Sequence, residues 1–298
     1  MTSVAVVAHA GKTLGAGLSE LRTVLADNGI DEPAWYEVPK SKFAPPCVRE
    51  AIDGGADLVF VWGGDGMVQR CLDAVGDAPV AVAILPAGTG NLLARNLGVP
   101  IVLTRAVDVG LHGARRTIDV GRINGERFAV MAGAGFDALM IGDVDRAMKR
   151  RFGRAAYVWT GTKHLRSDPF VARIDVDGHR WFKGSAGCVL VGNVSRVFGG
   201  VEVFDDARPD DGRLELGVVT AKGAVQWLRA LARAAVGRAD RSPFVQTTKA
   251  TKIDVRFDRK VPYELDGGDK KPVKRLKIRV QPAAVTVCVP ESDDGAER

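Results

Sequence analysis

The stretch Leu58-Val59-Phe60-Val61-Trp62-Gly63-Gly64-Asp65-Gly66-Met67 decides the fold of this chain. Its apolar first half, which ends at Trp62, is typical of a buried parallel strand. The strand runs into three glycines around one acid, and the periodic segment from Met67 to Val75 predicts a helix. Glycines let backbone amides approach an anion, and open α/β sheets bind ligands at the carboxyl ends of their strands. On its own, Gly-Gly-Asp-Gly is more often an ordinary turn.

A second glycine-rich loop strengthens the prediction that the first is a binding loop. The apolar run Val80 to Leu85 predicts the next strand, and Pro86-Ala87-Gly88-Thr89-Gly90-Asn91 follows it before another helical stretch. Two glycine-rich turns that lead from consecutive strands into helices predict a binding site for the phosphates of a nucleotide.

The order of the elements predicts two domains. Strands at Val4 to Ala8 and Ala34 to Val38, together with the two strands above, alternate with helices, which is typical of a parallel sheet. After Asp119, alternating strands and tight turns such as Asp177-Gly178 dominate and predict an antiparallel β-sandwich. We therefore expect an α/β domain over residues 1–119 and a β-sandwich domain over 120–298, an α+β chain overall. The last strands either complete the sandwich or pack back near the first domain.

Composition narrows the class of protein. The chain has 298 residues, of which 46% are hydrophobic and 26% charged, an ordinary globular composition. It contains no apolar run long enough to span a bilayer and begins without the basic flank and apolar core of a signal peptide. Four widely scattered cysteines fit reduced, buried thiols better than a metal site. We therefore expect a cytoplasmic protein.

The charge favours an anionic partner. The formal net charge is +6, which suits nucleic acid or an anionic membrane surface. Basic residues concentrate over 146–154 and 270–279, and a solvated surface accounts for such clusters about as well as a binding role. Aromatic residues are only 6% of the chain, so few side chains are available to stack on bases. A membrane is therefore favoured over nucleic acid as the partner.

In its motifs and their order, the chain resembles the diacylglycerol kinase catalytic superfamily, which includes bacterial lipid kinases and sphingosine kinases. The pair Gly-Gly-Asp-Gly and Pro-Ala-Gly-Thr-Gly-Asn carries the resemblance first, and it extends over almost the full length. The later matching segments are Ala132 to Ala138, Gly153 to Tyr157, Gly192-Asn193, Phe198 to Gly200, Pro209 to Gly212, Leu265 to Gly267 and Val285 to Val287. Their order and spacing together are specific.

The resemblance implies an ATP-dependent lipid kinase that uses Mg²⁺. Asp65 is the expected Mg²⁺ ligand, since hard cations prefer carboxylate oxygen, and Asp119 is expected near the same cleft unless it makes a structural hydrogen bond. The loop with Asp211 and the carbonyl of Arg213 corresponds to one that holds a structural Mg²⁺ in bacterial relatives, although a plain turn fits these residues equally well. The expected nucleotide-binding residues are His9, Gly11, Lys12, Gly63, Gly64, Asp65, Gly66, Met67, Gly88, Thr89, Gly90 and Asn91.

Three departures from the family pattern fall in the nucleotide and catalytic loops. His9-Ala10 stands where Asn-Pro is usual, and Met67 stands where a threonine would donate a hydrogen bond to phosphate. Relatives carry Asp-Gly-Glu where this chain has Asp266-Gly267-Gly268, and that glutamate is regarded as the general base. We expect either Asp266 or Asp269 to assist the acceptor hydroxyl instead. General-base catalysis contributes roughly 10²–10⁴ in rate, so its loss would be severe.

Three functions remain open at this point. The first is an ATP-dependent lipid kinase that acts at an anionic membrane surface as a peripheral protein. The second is a nucleotide- or lipid-binding protein of the same fold that has lost catalysis. The third is a kinase of a soluble substrate, similar to NAD kinase, which shares the Gly-Gly-Asp-Gly loop. The expected partners are ATP and a lipid of undetermined identity, with no nucleic acid, and fold analogy alone makes a homodimer a candidate assembly.

Overall fold

The computed structural model describes residues 2–135, 169–197, 201–204, 206–221, 226 and 242–291. The chain divides into two compact units. Unit 1 comprises residues 1–118 and 283–298, and unit 2 comprises residues 119–282. The basic cluster at 146–154 lies outside the described residues. Within the described residues, no helix has both the length and the apolar character needed to cross a membrane.

Unit 1 alternates strands with helices. In chain order its elements are β1 (Val4–His9), α1 (Leu18–Asp27), β2 (Ala34–Val38), α2 (Ala44–Asp53), β3 (Leu58–Gly63), α3 (Asp65–Val75), β4 (Ala81–Pro86), α4 (Leu92–Asn96) and α5 (Leu103–His112). The strand β5 (Ala114–Ile123) then carries the chain into unit 2. Helix α2 begins with prolines at its first turn, where the missing amide hydrogen costs nothing.

The sheet of unit 1 is parallel, with neighbouring strands in the order β2, β1, β3, β4. Every residue of β3 and β4 is buried, which explains why both strands are continuous apolar runs in the sequence. Helix α5 comes close to this sheet at Gly110, where an added Cβ would lie 2.2 Å from the ring of Phe60. Both glycine-rich loops follow central strands at the same edge of this sheet.

Unit 2 is built almost entirely of strands. Its elements are β6 (Glu126–Phe128), β7 (Met131–Ala134), β8 (Phe170–Val176), β9 (His179–Ala186), β10 (Cys188–Gly192), β11 (Arg196–Val197), β12 (Val201–Glu202), β13 (Leu214–Val219), β14 (Val245–Ala250), β15 (Lys252–Leu265) and β16 (Gly268–Val289). The strands β14, β13, β10, β7 and β15 are antiparallel neighbours in that order, and β8 and β9 extend from β15.

Tight turns set the strand register of unit 2. Asp177 and Gly178 both have positive φ, at 50° and 90°, as expected of a hairpin turn whose twist matches that of its strands. The inward-facing residues form one apolar core, to which β8, β15 and the neighbouring strands contribute residues such as Ile174, Val255 and Leu216. The predicted fold class, an α/β domain followed by an antiparallel β-sandwich, is confirmed.

The last strand returns to the first unit. Residues from Ala283 onward belong to unit 1, where Thr286 and Val287 of β16 pair in parallel with Ala81 and Val82 of β4. The end of β16 therefore adds a parallel strand to the sheet of unit 1. The contact division falls between Ile118 and Asp119, one residue before the expected domain boundary.

Candidate functional site

The two glycine-rich loops of unit 1 touch through their backbones. Gly64 ends the turn after β3, and Gly88 lies in the turn after β4. A Cβ added to Gly88 would lie 2.4 Å from the Cα of Gly64, a distance that real side chains do not tolerate. The amide of Ala87 also donates to the carbonyl of Gly63 over 3.0 Å. Glycine is therefore required here for contact between the loops.

Asp65 joins the same two loops through its carboxylate. The side chain sits at the first residue of α3, where a negative charge complements the helix dipole. Its Oδ1 accepts the amide hydrogen of Leu92 at 2.5 Å, and the amides of Leu93 and Asn91 also stabilise the carboxylate. Burial nevertheless raises the pKa of Asp65, against the opposing effect of these amides. Asp65 is thus a partly buried charge that caps the turn into α4.

Several backbone amides of these loops face no protein acceptor. Within the described part of the chain, the amides of Gly66, Thr89 and Gly90 have no hydrogen-bond partner. Gly66 and Thr89 are exposed, and Gly90 leaves only 2.8 Å between an added Cβ and Asp65 Oδ2. Exposed amides around glycine, at the start of a helix, are suited to bind the oxygens of a phosphate.

Asn91 holds the second loop in shape. Its side chain is buried, and its Oδ1 accepts the amide of Gly88 at 2.9 Å. Its Nδ2 donates to the carbonyls of Pro86 at 3.0 Å and Gly88 at 2.9 Å. The residue itself has a left-handed φ of 48°, which asparagine tolerates better than most residues. These contacts support a scaffold role for Asn91, where the sequence predicted contact with the nucleotide.

Met67 fills the interior behind the first loop. It is 2% exposed, and a Cβ added to Gly63 would lie 2.5 Å from its Cβ. A buried thioether offers no hydrogen bond to a phosphate outside. Of the residues expected to contact the nucleotide, Met67 is therefore one whose side chain the structure withholds from a ligand.

The loop after β1 closes on itself through His9. The Nδ1 of His9 accepts the amide of Gly11 at 3.1 Å, which leaves the ring proton on Nε2. The amide of Lys12 donates to the carbonyl of His9, and the carbonyl of Lys12 accepts the indole hydrogen of Trp62, each over 3.0 Å. The Gly11 amide is thus already engaged, while Lys12 is exposed. Lys12 can reach an anion as a point charge.

In unit 2, Asp266 is buried and its carboxylate is occupied by backbone amides. It is 4% exposed and accepts the amides of Ala129 at 2.8 Å, Val130 at 2.9 Å and Met131 at 2.8 Å. Asp266 and Gly267 form the two-residue turn between β15 and β16, with φ of 44° and 80°. A carboxylate that holds three amides in place is poorly suited to accept a proton from a substrate, so the structure does not support Asp266 as the base.

Asp269 does not replace the side chain missing at residue 268. Both residues begin β16, and successive side chains of a strand point to opposite faces. A carboxylate at Asp269 is exposed, but it faces away from the direction that a side chain at Gly268 would take. Neither sequence-predicted substitute for the glutamate therefore occupies its place.

Asp119 belongs to a structural network of unit 2. It is 3% exposed, and its Oδ2 accepts the amide of Gly212 at 2.6 Å. Asn193, itself buried, donates from Nδ2 to the carbonyls of Asp119 at 2.8 Å and Ala129 at 3.1 Å. Of the two roles left open for Asp119, these contacts favour the structural hydrogen bond over a metal ligand beside the nucleotide.

The loop around Asp211 already contains a cation. The ammonium of Lys249, on β14, lies 3.3 Å from Asp211 Oδ2, 3.1 Å from Glu215 Oε1 and 3.1 Å from the carbonyl oxygen of Asp206. Burial opposes the charge on Lys249, but the contacts with Glu215 and Asp211 outweigh it and raise the pKa of the lysine. The other oxygen of Asp211 accepts the amide of Arg213 at 3.0 Å. Two carboxylates and a carbonyl thus surround an ammonium.

Comparison with known proteins assigns both units. Residues 4–123 match the diacylglycerol kinase catalytic domain, and residues 130–289 match the YegS C-terminal NAD kinase beta sandwich-like domain. The chain belongs to the YegS-like and diacylglycerol kinase family. It is 30% identical to the "Probable lipid kinase YegS-like" protein of Pseudomonas syringae pv. tomato, over 83% of this chain and 80% of that one.

Two further comparisons agree with the family. The diacylglycerol kinase of Bacillus subtilis strain 168 is 29% identical, over 79% of this chain and 80% of its own length. A crystal structure of a diacylglycerol kinase from Bacillus anthracis str. Sterne superposes with a TM-score of 0.77 over 96% of each chain, at 22% identity. At that identity the superposition supports the fold alone.

The two metal sites that the resemblance implied fare differently. Among the described residues, no three carboxylate, histidine or cysteine side chains gather as a metal cage. Mg²⁺ that arrives with a nucleotide needs no such cage, because it keeps several waters and takes one or two carboxylates plus phosphate oxygens; Asp65, beside free amides, fits that demand. At Asp211, the ammonium of Lys249 contacts Oδ2 and the amide of Arg213 donates to Oδ1, so a structural Mg²⁺ at this carboxylate would have to displace the ammonium.

Three residues of interest were missed by sequence reasoning. Lys249 is separated from Asp211 by 38 positions, and nothing in its neighbours marks it. Asn193 belongs to the matching segment Gly192-Asn193, and an asparagine next to a buried strand is also a usable signal for a hydrogen-bonded cross-link. Glu264 is 1% exposed on β15, opposite Gly133, and its charge adds to burial in raising the pKa of Cys188. A carboxylate within the apolar run before Asp266 was the available signal.

Proposed function

We propose that the protein is an ATP-dependent lipid kinase that transfers the γ-phosphate of ATP to a lipid hydroxyl with the help of Mg²⁺, at an anionic membrane surface in the cytoplasm. One observation carries the proposal. The two loops of unit 1 are joined by Asp65 and by the contact of Gly64 with Gly88, and the amides of Gly66, Thr89 and Gly90 remain available to phosphate. The names of the relatives make diacylglycerol the first lipid to test.

The roles of the residues follow from their contacts. The loop amides would hold the phosphates in line, and the exposed Lys12, in the loop after β1, would add a positive charge. Asp65 would bind Mg²⁺ directly or through water, and the bound ion would neutralise charge on the transferred phosphate. Phosphoryl transfer passes through a largely dissociative transition state, so position and charge carry much of the rate. A weak or absent base is therefore compatible with turnover.

The test is transfer of γ-labelled phosphate from ATP into mixed micelles that present diacylglycerol, a sphingoid base or ceramide, with and without Mg²⁺. Asp65→Asn retains an oxygen for the amide of Leu92 and removes the charge. We expect it to lower the rate by roughly 10²–10³-fold, the usual loss for one electrostatic stabiliser of a transition state. Asp108→Asn, on the exposed face of α5, is the matched control. Label in no lipid would refute the proposal, and label in NAD without lipid would favour the soluble-substrate kinase.

The second candidate is a protein of this fold that binds nucleotide without turnover. It is favoured by Gly268, which has no side chain, and by the occupied carboxylate of Asp266. Its distinguishing test is the double variant Met67→Thr with Gly268→Glu. A Cβ at residue 268 would lie 3.2 Å from the carbonyl oxygen of Leu265, so a small shift admits it. Activity that appears only in the double variant would establish lost catalysis, and unchanged inactivity would reject that explanation.

A further inference from the structure

A groove of 640 Å³ lies on unit 2, lined in part by residues of the basic cluster at 270–279. One wall is the turn at Asn124 and Gly125, which joins β5 to β6. The amide of Asn124 donates to the carbonyl of Lys277, and the amide of Lys277 donates to Asn124 Oδ1, each over 3.1 Å. The other wall is the paired section of β15 and β16. The hydrogen bonds between turn and strand mean that the groove is part of the folded unit.

Positive charges face one another across the two strands. Lys252 of β15 is the direct partner of Arg279 on β16, and Lys277 is the partner of Asp254. Like charges placed directly opposite each other in an antiparallel pair destabilise it. This pair therefore has a cost that an anion in the groove would remove.

Asp254, the one carboxylate among the described residues of the groove, already has partners. Asp254 accepts hydrogen bonds from Arg275, whose Nε lies 2.8 Å away, and from Arg256 at 3.4 Å. The contact with Arg275 lowers the pKa of Asp254, so the carboxylate stays ionised and paired. Across the described residues, the side-chain nitrogens of Lys252, Lys277 and Arg279 form no ion pair within 4.0 Å, although the backbone amide of Lys252 donates to Asp177 Oδ1 at 2.8 Å.

The lining selects the kind of anion. The apolar residues Ile253 and Ile278 turn toward the core and are 1% and 2% exposed, so the groove itself presents cations and backbone. The described residues that line it include no aromatic side chain, and single-stranded nucleic acid depends on stacking against such side chains. Phosphate groups on a membrane surface can bind to basic side chains alone, without aromatic stacking.

We propose that this groove, formed by residues 122–125, 252–254 and 275–279, is where the protein contacts the anionic phospholipid headgroups of a membrane. The choice of a lipid surface as the partner rests on the proposed function. The choice of this groove as the contact rests on the charge of its own residues. Each basic residue near an anionic membrane strengthens partition about fivefold, so three of them contribute on the order of 100-fold.

The experiment compares two triple variants with the same loss of charge. Lys252→Gln, Lys277→Gln and Arg279→Gln neutralise the groove. The control triple variant, Lys40→Gln, Lys42→Gln and Arg49→Gln, neutralises exposed cations of unit 1. Binding of the full chain to sedimenting vesicles of phosphatidylcholine, with and without 30 mol% phosphatidylglycerol, is measured without ATP. Thermal unfolding of both variants verifies that they fold.

We expect the wild type to bind only the anionic vesicles, the groove variant to lose about 100-fold in partition, and the control to lose less than about threefold. Equal losses in the two variants, or equal binding of the wild type to both kinds of vesicle, would overturn the proposal. A groove variant that loses binding to a short RNA but keeps its binding to vesicles would also overturn it. The kinase assay in detergent micelles separates the two claims. If the groove variant phosphorylates lipid in micelles but no longer binds vesicles, the defect lies in the membrane contact. If the wild type labels no lipid at all, the proposed function fails instead.

Discussion

Substitution of Lys249 tests most directly how unit 2 stabilises the acidic loop around Asp211. Lys249→Met keeps the length of the side chain and removes the ammonium that contacts Asp211, Glu215 and the carbonyl of Asp206. Exposed ion pairs stabilise by about 0.2–1 kcal/mol, and removal of one partner from a fully buried pair costs about 3–5 kcal/mol. Glu215 is 11% exposed and Lys249 is 35% exposed. We therefore expect an intermediate loss of about 1–3 kcal/mol in the free energy of unfolding.

The same substitution should create a response to Mg²⁺. Without the ammonium, Asp211, Glu215 and a carbonyl present the hard oxygens that divalent cations prefer. A site with a Kd on the order of 1 mM would add about 1.8 kcal/mol of stability at 20 mM Mg²⁺. The measurement is urea and thermal unfolding without nucleotide, with and without Mg²⁺, and Lys183→Met on the exposed face of β9 is the control. Equal Mg²⁺ responses in wild type and Lys249→Met, or a variant as stable as the control, would refute the reasoning.

Three other predictions concern single positions. Gly88→Ala places a Cβ against Gly64 and should weaken nucleotide binding at least about tenfold, since backbone must move; isothermal titration with ATP measures it, and unchanged affinity would contradict the loop contact. Asp266→Ala should cost about 3 kcal/mol or more of stability, because hydrogen bonds to a charged group contribute about 1.5–3 kcal/mol each, as seen in urea unfolding; a stable but inactive variant would instead restore it as a base. The pKa of Asp177 is lowered because amides and the hydroxyl of Thr251 outweigh burial, so its contribution is present above about pH 4 and lost as the pH falls below that value. Asp177→Asn should therefore flatten the fall in stability from pH 5 to pH 3, whereas Asp108→Asn should not.

The sequence predicted the fold and the loop pair because both depend on local requirements. A continuous apolar run such as Leu58–Gly63 has one interpretation in a chain of this type, since parallel strands are buried on both faces. The glycines at Gly64 and Gly88 are required by a contact between neighbouring turns, which the order of the strands already brings together. The prediction of these elements therefore needed no knowledge of distant contacts.

The roles of the acids could not be predicted in the same way. The three amides that Asp266 accepts lie 135 to 137 positions away, and no periodicity reports on such a pairing. The alternation of side chains along β14 indicates which face of the strand carries Lys249. It does not indicate that Asp211 lies beside that face. The direction of a side chain at a strand end, as at Asp269, also required the register of β16.

The acids of the family motifs share one feature that bears on catalysis. Asp65, Asp119, Asp211 and Asp266 each accept at least one backbone amide, so each holds a turn in place. Of these four acids, Asp65 is the one beside loop amides that have no hydrogen-bond partner among the described residues, which makes it the best placed of the four to act together with a bound phosphate. The acceptor hydroxyl has no comparable partner at residue 268. If the protein is a kinase, its rate should therefore depend strongly on Asp65 and on Mg²⁺, and a glutamate introduced at Gly268 would add a base to a site that already positions its phosphate. A rate that rises with Gly268→Glu and still requires Asp65 would be the result that this division of roles demands.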